Sequence, residues 1–292
     1  MSLRLIVNPA AGGGRAGRAL PEVRSTLTAL GLEHQAELTR DLEHARTLAQ
    51  EASAAGETAV AFGGDGLIGA VAEAVSQAGG RLGVLPGGRG NDLARMLGIP
   101  LDPVAACSVL LEGAEQALDL GDIDGRAYVG IASCGFDSEA NRIANEAKLV
   151  RGNLVYAYGL LRALLTWRPA TFTLELDGGE PRTIRGYSVA AANSAYFGGG
   201  MKLAPEASLQ DGKLDIVIIS DVSRLRYLLF APTVLRGTHV RRPYVEVLRV
   251  SRITVSASRP FTMYADGDPI AELPATVTVR PGAVSVIVPE RR

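Results

Sequence analysis

Apolar positions in the first third of the chain alternate between two rhythms. Leu3–Val7 is a short apolar run ended by Asn8-Pro9, and Arg15–Leu30 then carries apolar residues at helical spacing. The alternation continues, with His34–Leu38, Thr58–Phe62 and Leu82–Leu85 reading as strands. Leu42–Ala55, Leu67–Ala78, Asn91–Leu97 and Pro103–Leu111 read as helices. Strands and helices in turn, with short joints, predict a parallel sheet covered on both faces, with a ligand at the C-terminal ends of its strands.

Beyond Leu120 the period changes to two. Thr171–Leu176, Ile184–Ala192, Leu214–Ile219, Tyr244–Val255, Thr276–Val279 and Val284–Val288 alternate apolar and polar residues between turn-rich joints, which predicts antiparallel strands. Helical stretches at Ser138–Glu146, Asn153–Trp167 and Ser223–Leu235 interrupt them. The expectation is an α/β parallel-sheet nucleotide-binding domain over residues 1–121, followed over 122–292 by a mostly antiparallel β-sandwich. A length of 292 residues agrees with two cores better than with one. The default site is the cleft between them.

Composition narrows the partners. Hydrophobic residues at 47% and charged residues at 21% exclude a disordered or coiled-coil chain. A net charge of −1 gives no reason to expect nucleic acid. The charge is uneven: residues 1–121 hold nine arginines, no lysine and fourteen carboxylates, whereas the remainder holds 21 basic residues against 17 acidic ones. An acidic half around glycine-rich loops fits a bound divalent cation. Cys107 and Cys134 sit among small apolar residues and read as buried, reduced thiols. The N-terminus carries no signal-peptide core, and the run Leu154–Leu161, stopped by Arg162, is far short of the ~20 apolar residues of a spanning helix. The expectation is a cytoplasmic protein.

Candidate chemistry lies in the glycine clusters. Gly12–Gly17 satisfies G-x-G-x-x-G after a first strand, a weak match to a dinucleotide fingerprint that equally describes an anion-binding turn. Phe62-Gly-Gly-Asp-Gly66 follows the third strand, and a carboxylate among glycines that admit a phosphate calls for a cation between them, magnesium by preference. Pro86-Gly-Gly-Arg-Gly-Asn-Asp92 follows the fourth; Asn91 or Asp92 can cap the next helix, and Arg89 can reach a phosphate. By their residues alone, Asp211-Gly212 and Asp266-Gly267 are turns between strands.

Taken in order, Asn8-Pro-x-x-Gly, Gly63-Gly-Asp-Gly66, Pro86-Gly-Gly-x-Gly-Asn-Asp92, Gly198–Pro205 with Asp211-Gly-Lys-Leu-Asp215, and Ala265–Pro269 resemble the diacylglycerol kinase catalytic-domain family of soluble bacterial lipid kinases. The resemblance implies a NAD kinase/diacylglycerol kinase-like fold and transfer of the γ-phosphoryl of ATP to a lipid hydroxyl, diacylglycerol giving phosphatidic acid. It implies ATP binding through Asn8, Thr39, Gly63, Gly64, Asp65, Gly66, Gly88, Arg89 and Asn91. Asp65, Asp92 and Asp119 would form an acidic, water-linked Mg²⁺ network, and a structural Mg²⁺ would sit on the loop at Asp211, aided by the carbonyls of Ser208 and Lys213. Asp266 would be the general base with Asp268 beside it. Where the family has Thr, Asn and Glu after Gly-Gly-Asp-Gly, this chain has Leu67, Gly69 and Ala70; it has Arg89 for a threonine and Asp268 for a glutamate.

The acceptor stays open among diacylglycerol, sphingosine, ceramide and other hydroxyl lipids. A NAD kinase, a dehydrogenase resting on Gly12–Gly17 alone, and a lipid-binding pseudokinase are the rival readings. Peripheral contact with the inner face of the membrane is expected through Asn153–Trp167, with Tyr156, Tyr158 and Trp167, or through the basic run Arg236, His239, Arg241 and Arg242. Burial of the first segment and ordinary solvation of the second are the bland alternatives. A second copy of the chain is left open as a partner.

Overall fold

Fully buried Leu3, Leu5, Ile6 and Val7 form β1 (Ser2–Val7), which lies parallel between β2 (Glu33–Leu38) and β3 (Thr58–Gly63). β4 (Arg81–Pro86) extends the sheet parallel to β3. The computed structural model describes residues 2–146, 159 and 162–290. Helices α1 (Ala11–Ala29), α2 (Leu42–Ala54), α3 (Asp65–Ala78), α4 (Asp92–Leu97) and α5 (Pro103–Glu112) follow the strands. Local chemistry sets their starts: Asp41 accepts from His44 N at 2.7 Å to cap α2, and Asp102 accepts from Val104 N and Ala105 N to cap α5. Helical geometry in α1 is broken at Gly12, Gly13 and Gly14, all at positive φ, so its regular turns begin at Arg15.

The second half builds on β5 (Ala114–Ile123), β6 (Arg126–Tyr128) and β7 (Ile131–Gly135), followed by α6 (Phe136–Glu146). β8 (Ala170–Leu176) and β9 (Arg182–Ala192) lead to a small hairpin, β10 (Tyr196–Phe197) with β11 (Met201–Lys202), and to β12 (Leu214–Ser220). Next come α7 (Arg224–Phe230) and two 3-10 turns, Ala231–Arg236 and Thr238–Arg241. The last strands are β13 (Val245–Val250), β14 (Arg252–Ala257), β15 (Thr262–Ala265), β16 (Asp268–Glu272) and β17 (Ala275–Val288). β9 pairs antiparallel with β8, β7 and β12, and the sheet curls into a β-sandwich. One face packs Phe172, Ile216, Ile253 and Met263. The other packs Phe136, Trp167, Tyr187, Tyr227 and Phe230, whose rings stack or meet edge to face.

The α/β fold followed by a sandwich is as expected, with differences in detail. The run Tyr244–Val255 is two strands, because Ser251 breaks it so that β13 pairs with β12 while β14 pairs with β8 and β17. Thr276–Val279 and Val284–Val288 are one strand with an irregularity between Arg280 and Val284. β17 runs antiparallel to β14 and β5 and ends parallel to β4, so its last residues complete the sheet begun by β1. The stretch Ser223–Leu235 is only partly α-helical, since Pro232 lies just beyond α7 and the chain tightens into a 3-10 turn. Both cysteines are buried and unpaired with each other.

Candidate active site

The strand ends converge into one continuous edge. Thr39 N donates to Val7 O at 2.8 Å, Asn8 N to Phe62 O at 3.0 Å and Gly87 N to Gly63 O at 2.7 Å. A Cβ on Gly88 would lie 2.5 Å from Gly64 Cα, and one on Gly87 would lie 2.7 Å from Ala16 Cβ. Glycines 64, 87 and 88 are therefore required by loop-on-loop packing as well as by any ligand. Several predicted nucleotide contacts already hold these loops together. Asn8 Oδ1 accepts from Ala10 N, Thr39 Oγ1 donates to Val7 O, and the buried Asn91, at φ 54°, closes its loop through Gly88 N and Gly88 O. Arg89 is exposed at the tip of that loop and forms no ion pair among the described residues.

Neither Asn91 nor Asp92 caps α4. The cap comes from α3: Asp65 Oδ1 accepts from Asp92 N at 2.7 Å and Leu93 N at 3.4 Å. Asp92 in turn accepts from Gly199 N at 2.9 Å through Oδ2, while its other oxygen, Oδ1, is buried without a partner. Burial pushes the Asp92 carboxyl above its ordinary range, the Gly199 N–H opposes this, and the nearby Asp65 charge adds to it. An orphaned buried carboxylate oxygen beside a second carboxylate fits a hard divalent cation.

Asp119 stands elsewhere. Its Oδ2 accepts from Gly212 N at 2.8 Å and its Oδ1 from Gly282 N at 2.7 Å, so this buried carboxylate anchors the loop of Ser208, Asp211 and Lys213. In that loop Ser208 Oγ accepts from Gln210 N, the exposed Asp211 accepts from Lys213 N, and Lys213 Nζ donates to Ser251 Oγ. Asp65 and Asp92 thus form one group and Asp119 with Asp211 another. Among the described residues, no three His, Cys, Asp or Glu side chains close into a metal cage.

The second domain faces the first through the β15–β16 turn. Asp266 and Gly267, at φ 51° and 98°, make the two-residue link of a hairpin, a conformation for which Asp-Gly is suited. The Asp266 carboxylate turns inward: Oδ1 accepts from Gly130 N at 2.9 Å and Ile131 N at 3.2 Å, and Oδ2 from Val129 N at 2.9 Å. Burial pushes the carboxyl up to about 6, against the pull of these N–H groups and with a further push from the Asp65 charge. Across the cleft, a Cβ on Gly69 would lie 3.4 Å from Asp266 Oδ2, and one on Gly66 would lie 3.7 Å from Asp268 Oδ2. The absence of side chain at Gly69, with only a methyl at Ala70, leaves a cavity of about 50 Å³ there, lined also by Arg46, Glu73 and Arg126.

Three positions that shape the candidate site escape the sequence. A Cβ on Gly130 would fall 2.5 Å from Asp266 Oδ1, so glycine is needed to seat the carboxylate. Asn193, fully buried, donates to Asp119 O and Val129 O and so ties that seat to the Asp119 anchor. Glu73 accepts from Arg46 Nε at 2.8 Å and Ala127 N at 3.1 Å, joining α2, α3 and β6 on the cavity floor. Asn193, an amide directly after the apolar end of β9, is the one signal of these that sequence inspection could have found.

Two expectations about membrane contact change. His239 is fully buried with Nε2 2.9 Å from Leu203 O, so it cannot face headgroups, whereas Arg236, Arg241 and Arg242 are exposed. Trp167 lies in the aromatic core, stacked on Tyr187 and edge-on to Phe136, not at an interface. Tyr156 and Tyr158 lie outside the described residues. A cavity of about 340 Å³ opens beyond Tyr264, two residues from Asp266, lined by Trp167, Phe261, Arg142, Arg168 and Arg259.

Comparison with known proteins agrees with this geometry. Residues 2–123 match the model of the diacylglycerol kinase catalytic domain, and residues 130–288 that of the YegS C-terminal NAD kinase beta sandwich-like domain. A diacylglycerol kinase of Mycobacterium tuberculosis is 32% identical over 291 residues, covering 97% of this chain and 94% of its own. The crystal structure of a diacylglycerol kinase from Bacillus anthracis superposes with a TM-score of 0.76 at 18% identity, over 98% of this chain and 96% of that one. An NAD kinase from Archaeoglobus fulgidus in complex with ATP shares the fold more distantly, with a TM-score of 0.54 at 14% identity over 99% and 94% of the two chains.

Proposed function

Because this chain belongs to the diacylglycerol kinase family, phosphotransferases that act on alcohol groups, with a YegS-type C-terminal sandwich, we propose that it transfers the γ-phosphoryl of ATP to a lipid hydroxyl, diacylglycerol first among acceptors. The observation that carries this reading is the Asp266 carboxylate, held by three N–H groups and facing the first domain across a side-chain-free patch at Gly69.

A carboxyl displaced to about 6 is ionised at neutral pH yet basic enough to take a proton from an alcohol as its oxygen attacks. Oδ1 already accepts two hydrogen bonds and Oδ2 one, so Oδ2, which looks toward Gly69, is the oxygen with capacity for the acceptor hydroxyl. Asp268 flanks the same opening, and Arg89 presents a guanidinium suited to a phosphate oxygen. Asp65 and Asp92 would hold the divalent cation, and Ser208, Asp211 and Lys213 remain the proposed seat of a structural one. Bound ATP with its cation supplies the phosphoryl group and neutralises its charge during transfer. The cavity of about 340 Å³ beyond Tyr264 is the space we assign to the acceptor's body, with its hydroxyl reaching Asp266.

The test is transfer of γ-phosphate label from Mg²⁺·ATP to diacylglycerol, monoacylglycerol, sphingosine, ceramide and NAD. Label in extracted phosphatidic acid, formed from diacylglycerol and lost in Asp266→Asn, is the expected outcome. Label on NAD alone, or none on any lipid, would overturn the reading.

A further inference from the structure

α7 is apolar on two opposite sides. At 100° per residue, Tyr227 and Phe230 share one side and are buried against the aromatic core. Leu225, Leu228 and Leu229 fall within a 100° arc on the other side and are 66%, 48% and 71% exposed. Leu235, in the following 3-10 turn, is 59% exposed. By the same geometry Arg224 and Arg226 flank the leucine arc, one on either side. Arg236, Arg241 and Arg242, also exposed, follow within the same segment. From Val222 to Val245 the chain has five arginines and no Asp or Glu. Among the described residues none of the five forms an ion pair; Arg224 instead donates to Trp167 O at 3.0 Å, which fixes α7 to the core.

We propose that this face, Leu225, Leu228, Leu229 and Leu235 amid the five arginines, docks on an anionic phospholipid bilayer surface. Leucines between arginines match the layering of such a surface, with apolar side chains below the headgroups and guanidinium groups at the phosphates. Each arginine near an anionic surface is worth about five-fold in binding. A second copy is the weaker occupant, because a two-fold contact would set one copy's arginines against the other's. Among the described residues, no helix is long and apolar enough to span a bilayer, which agrees with one lying on it. The proposal rests on the lipid-kinase reading for its purpose, since it brings the enzyme to a bilayer-borne acceptor.

The test compares co-sedimentation with phosphatidylcholine vesicles lacking or containing phosphatidylglycerol. The proteins are the wild type, the triple variant Leu225→Ser/Leu228→Ser/Leu229→Ser, and Arg226→Glu/Arg236→Glu. The wild type is expected to bind vesicles containing phosphatidylglycerol, less tightly as salt rises, and each variant to bind at least about ten-fold more weakly. Both variants should keep wild-type melting and wild-type turnover of a short-chain diacylglycerol dissolved as monomers. Wild-type binding indifferent to phosphatidylglycerol, variants that bind like the wild type, or a triple variant that only converts a dimer to a monomer would each overturn the proposal. Absence of turnover on the dissolved acceptor in every protein would instead overturn the kinase reading, with sedimentation still deciding the docking face.

Discussion

The chain uses Asp-Gly twice in its second domain, at 211–212 and at 266–267, and the two pairs come to opposite ends. Asp211 points to solvent and accepts from its own loop at Lys213 N, two residues away. Asp266 accepts from three N–H groups some 135 residues upstream, and burial there raises its carboxyl to about 6. The dipeptide sets a turn in both places; the opposing backbone decides whether the carboxylate becomes a local clasp or the buried group we propose as the base. Equal residues acquire unequal chemistry from what is packed against them.

The sharpest way to break this contrast is to neutralise each carboxylate. Asp266→Asn should lower kcat by about 10³-fold, and should also cost about 1–3 kcal/mol of stability, because the amide nitrogen cannot accept from the N–H that the lost oxygen satisfied. Asp211→Asn should cost less than about tenfold at saturating Mg²⁺; equal losses would erase the distinction. Next in size, Asp119→Ala should destabilise the protein by about 3 kcal/mol in urea unfolding, because it strands the N–H groups of Gly212 and Gly282 that a buried carboxylate now satisfies. Its effect should fall on stability, leaving the pH dependence of the remaining activity unchanged.

Smaller still is the pH effect itself. The base proposed at Asp266 would work ionised, and its carboxyl is raised, so activity is expected to be lost as pH falls through about 6. Thus kcat/KM should rise about tenfold from pH 5 to 7 and then level, in Asp211→Asn as in the wild type. Least of all, Gly69→Asn should bring an amide donor against Asp266 Oδ2 and move the acid limb toward lower pH, with a few-fold change in rate. An unmoved limb would mean that Gly69 and Asp266 do not face each other in the working enzyme.

The parallel half was legible because β1, β3 and β4 are continuous, apolar runs and each strand leads into a helix, as in Thr58–Gly63 and α3. In the sandwich half, β5 was missed, since Ala114–Ile123 lacks alternation outside and is made a strand by the length of β17 beside it. β7 and β15 were missed for a similar reason, being short and paired with strands far along the chain, and β16 because it is a short edge strand held, among the described residues, only by β15. Asp266 was found through family resemblance; its residues alone say turn, and the three donors that change its character are backbone groups, which leave no mark on sequence. Likewise the capping of α4 by Asp65 joins positions 27 residues apart that no local rule connects.

β17 has a bearing on how this protein can be handled. Val284, Val286 and Val288 belong to the same core as Leu5, Val60 and Leu82 although they come from the far end of the chain. A fragment cut after residue 121 or 123 would lack them, and β4 would present a bare hydrogen-bonding edge to other molecules. Such a fragment is expected to precipitate rather than serve as a soluble nucleotide-binding module, so separating the halves requires grafting the 284–288 segment onto the first.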